Sequence, residues 1–332
     1  MTKQAMPLQQ QLKYLDVLAN EALALWDLPG DTSARLINVS ENATYLVEGG
    51  DRKAVLRIHR ENYHTHRAIE CELAWMAALN REASVSTPGV IPARNAEVIQ
   101  TGQVDGLPRR YMVMFEFVEG HQPDESHDLV GPFEELGGIA ARTHLHSMGW
   151  ERPEPFERLT WNLRTVFGAN PTWGRWRDAP NLDGEMLQIL TRVEDTVTRR
   201  LTLFGTEPNR YGLIHADMRL ANLLISPTGT RLIDFDDCGI GWFLYDFAAG
   251  ISFMEDHPKI PELRDAWVKG YNRVRPLSAE EVKEIDTFVM LRRLALLAWI
   301  GSHIEAPEPQ AMAPDFARVS AELGETYLHK FG

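Results

Sequence analysis

The chain has 332 residues, 44% of them hydrophobic, enough to bury one large core or two. A formal charge of −13 argues against nucleic acid or an anionic membrane as the principal partner and favours cationic ligands. Two cysteines, Cys71 and Cys238, are too few for a disulfide framework or a metal cluster, and no run of about 18 apolar residues offers a membrane span, so a cytoplasmic protein is expected.

In chain order, residues from about Leu8 to Trp26 read as a helix, and Ser40-Glu41-Asn42-Ala43-Thr44 as a small polar turn between two β-rich stretches. Lys53 to Ile58 alternates, with Val55 and Arg57 on one face and Ala54, Leu56 and Ile58 on the other. Between Arg67 and Asn80, Ile69, Leu73 and Met76 recur at helical spacing. Glu72 flanks that stripe by roughly 60°, whereas Glu70 lies farther round. Tyr111 to Val118 reads as a mostly apolar strand that ends at Glu119-Gly120. The remainder reads as mainly helical. Phe133 to His146 contains small residues that permit close packing, and its His144 and His146 point away from each other, which suits packing and capping better than a metal pair. Trp161 to Trp176 is rich in tryptophan and glycine, and Leu291 to Ile300 is an apolar core helix interrupted at Arg292 and Arg293.

One stretch carries the chemistry. It runs His215-Ala216-Asp217, with Asn222 five residues after the aspartate, then Leu223–Ile225, a Pro/Gly turn, Leu232-Ile233 and Asp234-Phe235-Asp236. The two apolar runs read as a hairpin that carries Asn222 and Asp234 back toward each other. An amide oxygen and a carboxylate suit Mg²⁺, which takes few carboxylates and leaves other positions to phosphate and water. Asp217, placed ahead of them, would face an incoming hydroxyl, accept its proton and align its oxygen. His215 fits a hydrogen-bonded scaffold role better than that of a second base.

The run from His215 to Asn222 resembles the His-Gly-Asp-x-His-x-x-Asn loop of the aminoglycoside phosphotransferase and choline kinase superfamily, and Ile233 to Asp236 resembles its metal-binding strand end. The continuation from Asp237 to Ala248 resembles the branch with homoserine kinase-like proteins and the bacterial stress response kinase. Ala216 stands where glycine is usual, and Arg219 where the second histidine is usual. The resemblance implies an α+β, bilobal protein-kinase-like fold, with a small β-rich N-lobe over residues 1–117 and a larger, mainly helical C-lobe over 118–332.

It further implies an ATP- and Mg²⁺-dependent kinase of a small hydroxyl-bearing molecule, cationic or zwitterionic. A protein Ser/Thr kinase or a nucleotide-binding pseudokinase would share the same residues, and oligomeric state is left open. Asp217 is then the catalytic base, and Arg219 a second catalytic group within reach of the γ-phosphate. Asn222 and Asp234 are the metal ligands. Ala54-Val55-Leu56-Arg57 is the counterpart of the kinase Val-Ala-Ile-Lys strand, so Arg57, with Lys53 as the alternative, would bridge the inner phosphates and pair with Glu72. Ser40 and Asn42 would belong to a phosphate-covering turn, and Glu116 and Val118 would present main chain to an adenine edge. Trp173, Trp242 and Tyr245 would wall the acceptor pocket by cation–π contact, or else serve as packing aromatics. Asp237 would bind a substrate amine. Asp246 is expected to be a buried structural acid.

Overall fold

A computed structural model describes residues 6–39, 42–123, 128–227 and 229–332. The chain divides into two compact units. One comprises Met1–Ala78, Ser86–Gly120 and Arg152–Glu157, and the other Leu79–Val85, His121–Glu151 and Arg158–Gly332.

The first unit begins with helix α1 (Leu8–Ala22) and continues through β1 (Ser33–Val39), β2 (Ala43–Gly49), β3 (Arg52–Ile58), α2 (His66–Glu82), β4 (Ile99–Gly102) and β5 (Arg110–Glu116). Its five strands form one antiparallel sheet in the order β1-β2-β3-β5-β4. The register Tyr45↔Leu56↔Met114 puts the buried apolar residues of three strands on one face. That face shares a core with Leu15, Leu18, Ala19 and Ala22 of α1. The period-two alternation of β3 therefore leaves Arg57 on the other face, opposite Thr44 and Val113. On α2, the stripe Ile69, Leu73 and Met76 is buried and takes Glu72 inside with it.

The second unit contains α3 (Val130–Gly149), β6 (Leu159–Trp161), α4 (Leu163–Phe167), α5 (Gly184–Phe204), β7 (Tyr211–Ile214), β8 (Leu223–Ser226), β9 (Gly229–Leu232), β10 (Gly239–Trp242), α6 (Tyr245–Gly250), α7 (Ile260–Asn272), α8 (Ala279–Ser302) and α9 (Pro307–Phe331). Strand β10 runs parallel to β6 and antiparallel to β7, and β8 and β9 form a separate hairpin. Helices α3 and α7 approach closely enough that a Cβ at Gly137 would overlap the Trp267 carbonyl and one at Gly270 the Glu134 carbonyl. Helix α8 starts at a reciprocal Ser278–Glu281 capping box and is buried over most of its length. The α+β class expected from sequence is observed, with an antiparallel sheet in the N-terminal part and helices predominating afterwards. Among the described residues, no helix is long and apolar enough to cross a membrane.

Candidate active site

Strand β7 ends in the turn His215-Ala216-Asp217, and the buried carboxylate of Asp246, in the first turn of α6, holds that turn. The His215 N–H donates to Asp246 Oδ2 at 3.1 Å and the Ala216 N–H to Oδ1 at 2.7 Å. Ala216 adopts φ 66°, the left-handed region where glycine is at ease and alanine is strained.

His215 is a scaffold residue. Its Nε2–H donates to the Ile233 carbonyl at 3.0 Å, so its Nδ1 is the acceptor for the Asp217 N–H at 3.2 Å. The two segments of the motif are thereby tied together. Below Asp246, His144 places Nε2 2.9 Å from Oδ2 and Nδ1 2.9 Å from the Tyr271 hydroxyl. Burial holds the His144 imidazole below its ordinary pKa, although Asp246 opposes the shift. The neutral ring donates to Asp246 and accepts from Tyr271. His144 and His146 have different partners, since His146 Nε2 lies 3.1 Å from Glu82 Oε2.

Both oxygens of the Asp217 carboxylate are engaged. Arg292 Nη2 donates to Oδ1 at 2.8 Å, Asn222 Nδ2 donates to Oδ2 at 2.8 Å, and Arg219 Nε lies 3.3 Å from Oδ2. Burial pushes this carboxyl pKa up, but Arg219 and Arg292 outweigh it and hold the group below the ordinary aspartate value. A carboxylate so stabilised is a weak base and a good aligner, which suits a loose phosphoryl-transfer transition state.

Asn222 Nδ2 also donates to the Asp217 carbonyl at 2.8 Å, so both hydrogens of the amide have acceptors. The Ile233 N–H donates to the Asn222 carbonyl at 2.9 Å, one position beyond the Leu223↔Leu232 pair. The hairpin thus brings the backbones at Asn222 and Asp234 to one end. Asp234 has φ 60°, a conformation that aspartate tolerates better than most residues. One amide oxygen and one carboxylate fit a hard divalent cation that draws its other ligands from phosphate and water. Among the described residues there is no group of three or more His, Cys, Asp and Glu placed to hold a metal by themselves.

The aromatic candidates separate. Trp173 and Tyr245 flank the Arg292 guanidinium, whose carbon lies 5.1 Å and 5.6 Å from their ring centres. Trp161 packs against both, 4.7 Å from Trp173 and 6.0 Å from Tyr245. Trp242 is not brought to this cluster. Its ring packs against Tyr211 and Phe288, and its N–H donates to the Gly205 carbonyl at 2.6 Å. The expected role of Trp242 as a pocket wall is corrected to one in core packing. Asp237 is half-buried, its carbonyl accepts from Trp161 Nε1 at 2.8 Å, and its charge is felt by Tyr245 and Arg292. Arg219 lies between Asp217 and Glu308 Oε1, 3.4 Å away.

Sequence reasoning missed Arg292. It was read only as an interruption of the apolar run Leu291 to Ile300. A guanidinium in an otherwise apolar helix needs a buried acceptor, and that requirement was the available signal.

In the first unit, Arg57 Nη2 donates to Glu72 Oε1 at 2.7 Å with both side chains buried. Lys53 is exposed and pairs with Glu48 at 3.4 Å, so Arg57 is the cation joined to the helix glutamate. Val55 is half-buried on the same strand face as Arg57. Asn42 is buried and its Oδ1 accepts the Arg60 N–H at 3.1 Å, while Ser40 lies outside the described residues. The Glu116 N–H donates to the Gly89 carbonyl at 2.8 Å, so the hinge expectation narrows there to a carbonyl acceptor. Val118 follows β5 and is half-buried.

Comparisons with known proteins agree on the family. The family model described as "Phosphotransferase enzyme family" matches residues 33–281. The solved structure of a microcompartment-associated aminopropanol kinase is 44% identical, covers 94% of this chain and 97% of its own, and superposes with a TM-score of 0.87. An amicoumacin kinase of Bacillus subtilis is 21% identical over 83% of this chain and 82% of its own length. The structure of an amicoumacin kinase in complex with AMP-PNP, Ca²⁺ and Ami, 18% identical, covers 95% of this chain and 93% of its own with a TM-score of 0.75, a likeness of fold. The chain belongs to the phosphotransferase enzyme family and is a kinase.

Proposed function

We propose that the protein transfers the γ-phosphoryl group of ATP, with Mg²⁺, to the hydroxyl of a small amino alcohol. The observation that carries this reading is the hold of Asn222 on Asp217. The amide that holds the base through its N–H groups would offer its oxygen to the metal, which ties base and metal site together. The amine-bearing acceptor is supported by the 44% identity to an aminopropanol kinase. The use of a nucleotide and a divalent metal is supported by the AMP-PNP and Ca²⁺ of the amicoumacin kinase complex. The names of these relatives are those of small-molecule kinases and do not favour a protein acceptor.

Asp217 accepts the hydroxyl proton and aims the oxygen along the line of transfer. Asn222 and Asp234 would hold the metal, which supplies charge neutralisation on the phosphates. Arg57, steadied by Glu72, is assigned to the inner phosphates, and Asp237 to the acceptor's ammonium. Within this reading the acceptor wall is revised. The faces of Trp173 and Tyr245 already hold Arg292, so recognition of the amine falls to a carboxylate and not to an aromatic box.

The test is ADP release with Mg·ATP across short amino alcohols, homoserine, choline, aminoglycosides and propane-1,2-diol. Saturable turnover of a short amino alcohol, exceeding that of the diol by about 100-fold or more, is expected where a site is built around the amine. Equal turnover of the diol would remove the amine from the reading. Phosphate incorporation into protein alone would remove the small-molecule acceptor.

A further inference from the structure

Arg292 is only 2% exposed and makes directional contacts to four residues in three parts of the second unit. Nη2 donates to Asp217 Oδ1 at 2.8 Å, Nη1 to the Ala216 carbonyl at 3.1 Å and the Tyr245 hydroxyl at 3.4 Å, and Nε to Ser252 Oγ at 3.1 Å. Trp173 and Tyr245 cover its faces. The next residue, Arg293, is equally buried but faces elsewhere, donating to Glu255 at 2.5 Å, Ser320 at 2.7 Å and the Phe316 carbonyl at 3.2 Å. The adjacent arginines therefore divide the work. One grips the catalytic turn and the other fastens α9.

A buried guanidinium is tolerated only where its donors meet well-placed acceptors, and the four acceptors of Arg292 leave it little freedom to move. The carboxylate it grips is 16% exposed, in a protein whose proposed acceptor carries an ammonium. An ammonium is drawn to a bare carboxylate more strongly than a hydroxyl is, and an acceptor bound in that way presents the wrong end to the phosphate.

We infer that Arg292 is a positioning residue with two linked effects. It holds Oδ1 and so fixes the plane of the Asp217 carboxylate, and its charge, added to that of Arg219 at Oδ2, repels an ammonium from that carboxylate, so the acceptor enters hydroxyl first. This rests on the reading of Asp217 as the acceptor-facing carboxylate. It adds that discrimination between the two ends of the acceptor is built from a cation beside the base, as well as from an anion at the far end.

The test uses the full-length enzyme and an amino alcohol that the wild type turns over. Arg292→Lys keeps the charge and loses the fork, and Arg292→Met loses both. For Arg292→Lys, kcat should fall about 10- to 100-fold, the range for a displaced catalytic group, with the acceptor KM within about twofold and competitive inhibition by propylamine unchanged. For Arg292→Met, kcat should fall further and propylamine should inhibit about tenfold more tightly, because the carboxylate, then neutralised by Arg219 alone, attracts it more strongly. A wild-type-like kcat in Arg292→Lys, or propylamine binding no tighter in Arg292→Met, would overturn the inference. Should Arg292→Met show no folded melting transition, the split between kcat and KM in Arg292→Lys decides alone. Asp217→Asn serves as the control on the underlying reading, since normal turnover by that variant removes the role of Asp217 whatever Arg292 does.

Discussion

Asp246 accepts the main-chain N–H groups of His215 and Ala216, through one carboxylate oxygen each, while His144 Nε2 sits 2.9 Å from one of them. One buried acid thus sets the backbone that delivers Asp217, the proposed base. An amide in its place has a single acceptor oxygen and would aim its own N–H at one of the donors. Asp246→Asn should therefore lower unfolding stability by about 2–4 kcal/mol and reduce kcat with it. Urea denaturation monitored by tryptophan fluorescence measures the first and ADP release the second.

The left-handed φ of Ala216 gives an unusual expectation for a fully buried alanine. Elsewhere, replacing alanine by glycine raises the entropy cost of folding. Here that loss is offset by relief of a conformation disfavoured by about 1–2 kcal/mol for an L-residue. Ala216→Gly should be neutral or stabilising by up to about 1 kcal/mol, whereas Ala216→Val should destabilise. Differential melting of the two variants checks the sign.

His144 ties stability to pH. Its ring is neutral in the folded protein, with a pKa held below the ordinary value of about 6.5 by burial, so the unfolded chain binds more protons as pH falls beneath that value. The contribution is present above pH ~6.5 and is lost progressively on acidification toward the lower folded-state pKa. His144→Gln should reduce this acid limb of the stability profile. Comparison of melting temperatures for the two proteins from pH 8 to 5 tests it, and an identical slope in both would reassign the effect.

Asp217 and Asp234 should separate binding from turnover. Asp217→Asn is expected to retain Mg·ATP affinity and lose about 10²–10⁴-fold in kcat, the usual contribution of a positioned proton acceptor. Asp234→Ala should weaken metal-dependent ATP binding itself. Calorimetric titration with and without Mg²⁺ distinguishes the two, and unchanged binding by Asp234→Ala would remove that ligand assignment.

In the first unit, Arg57→Met would strand the Glu72 carboxylate in the core and should destabilise by about 3–5 kcal/mol, as when one partner of a buried pair is deleted. Arg57→Lys should lose less, because the charge survives while the fork does not. Chemical denaturation ranks the variants.

Local pattern carried much of this site. The hairpin after Asn222 was legible because its apolar runs and turn residues are adjacent in sequence, and the Arg57–Glu72 pairing because strand period and helix wheel each place one partner. Arg292 was not legible in that way. It lies on α8, 75 residues beyond Asp217, and no local period reports which buried acid an arginine in an apolar helix will meet. The same gap explains the aromatic cluster. Sequence gave Trp173 and Tyr245 a cationic ligand, and the structure supplies that cation from the protein itself. For Trp242 the packing alternative holds, because β10 carries its indole toward Phe288 and Tyr211.

The crossing of α3 and α7 has a consequence for how such an enzyme can change. Where those helices meet, main chain occupies the volume that any side chain at residues 137 and 270 would require, and α3 also carries the imidazole beneath Asp246. This half of the foundation offers no room for gradual retuning. Side-chain growth at either crossing point would push apart the two helices, and with them the imidazole that braces Asp246.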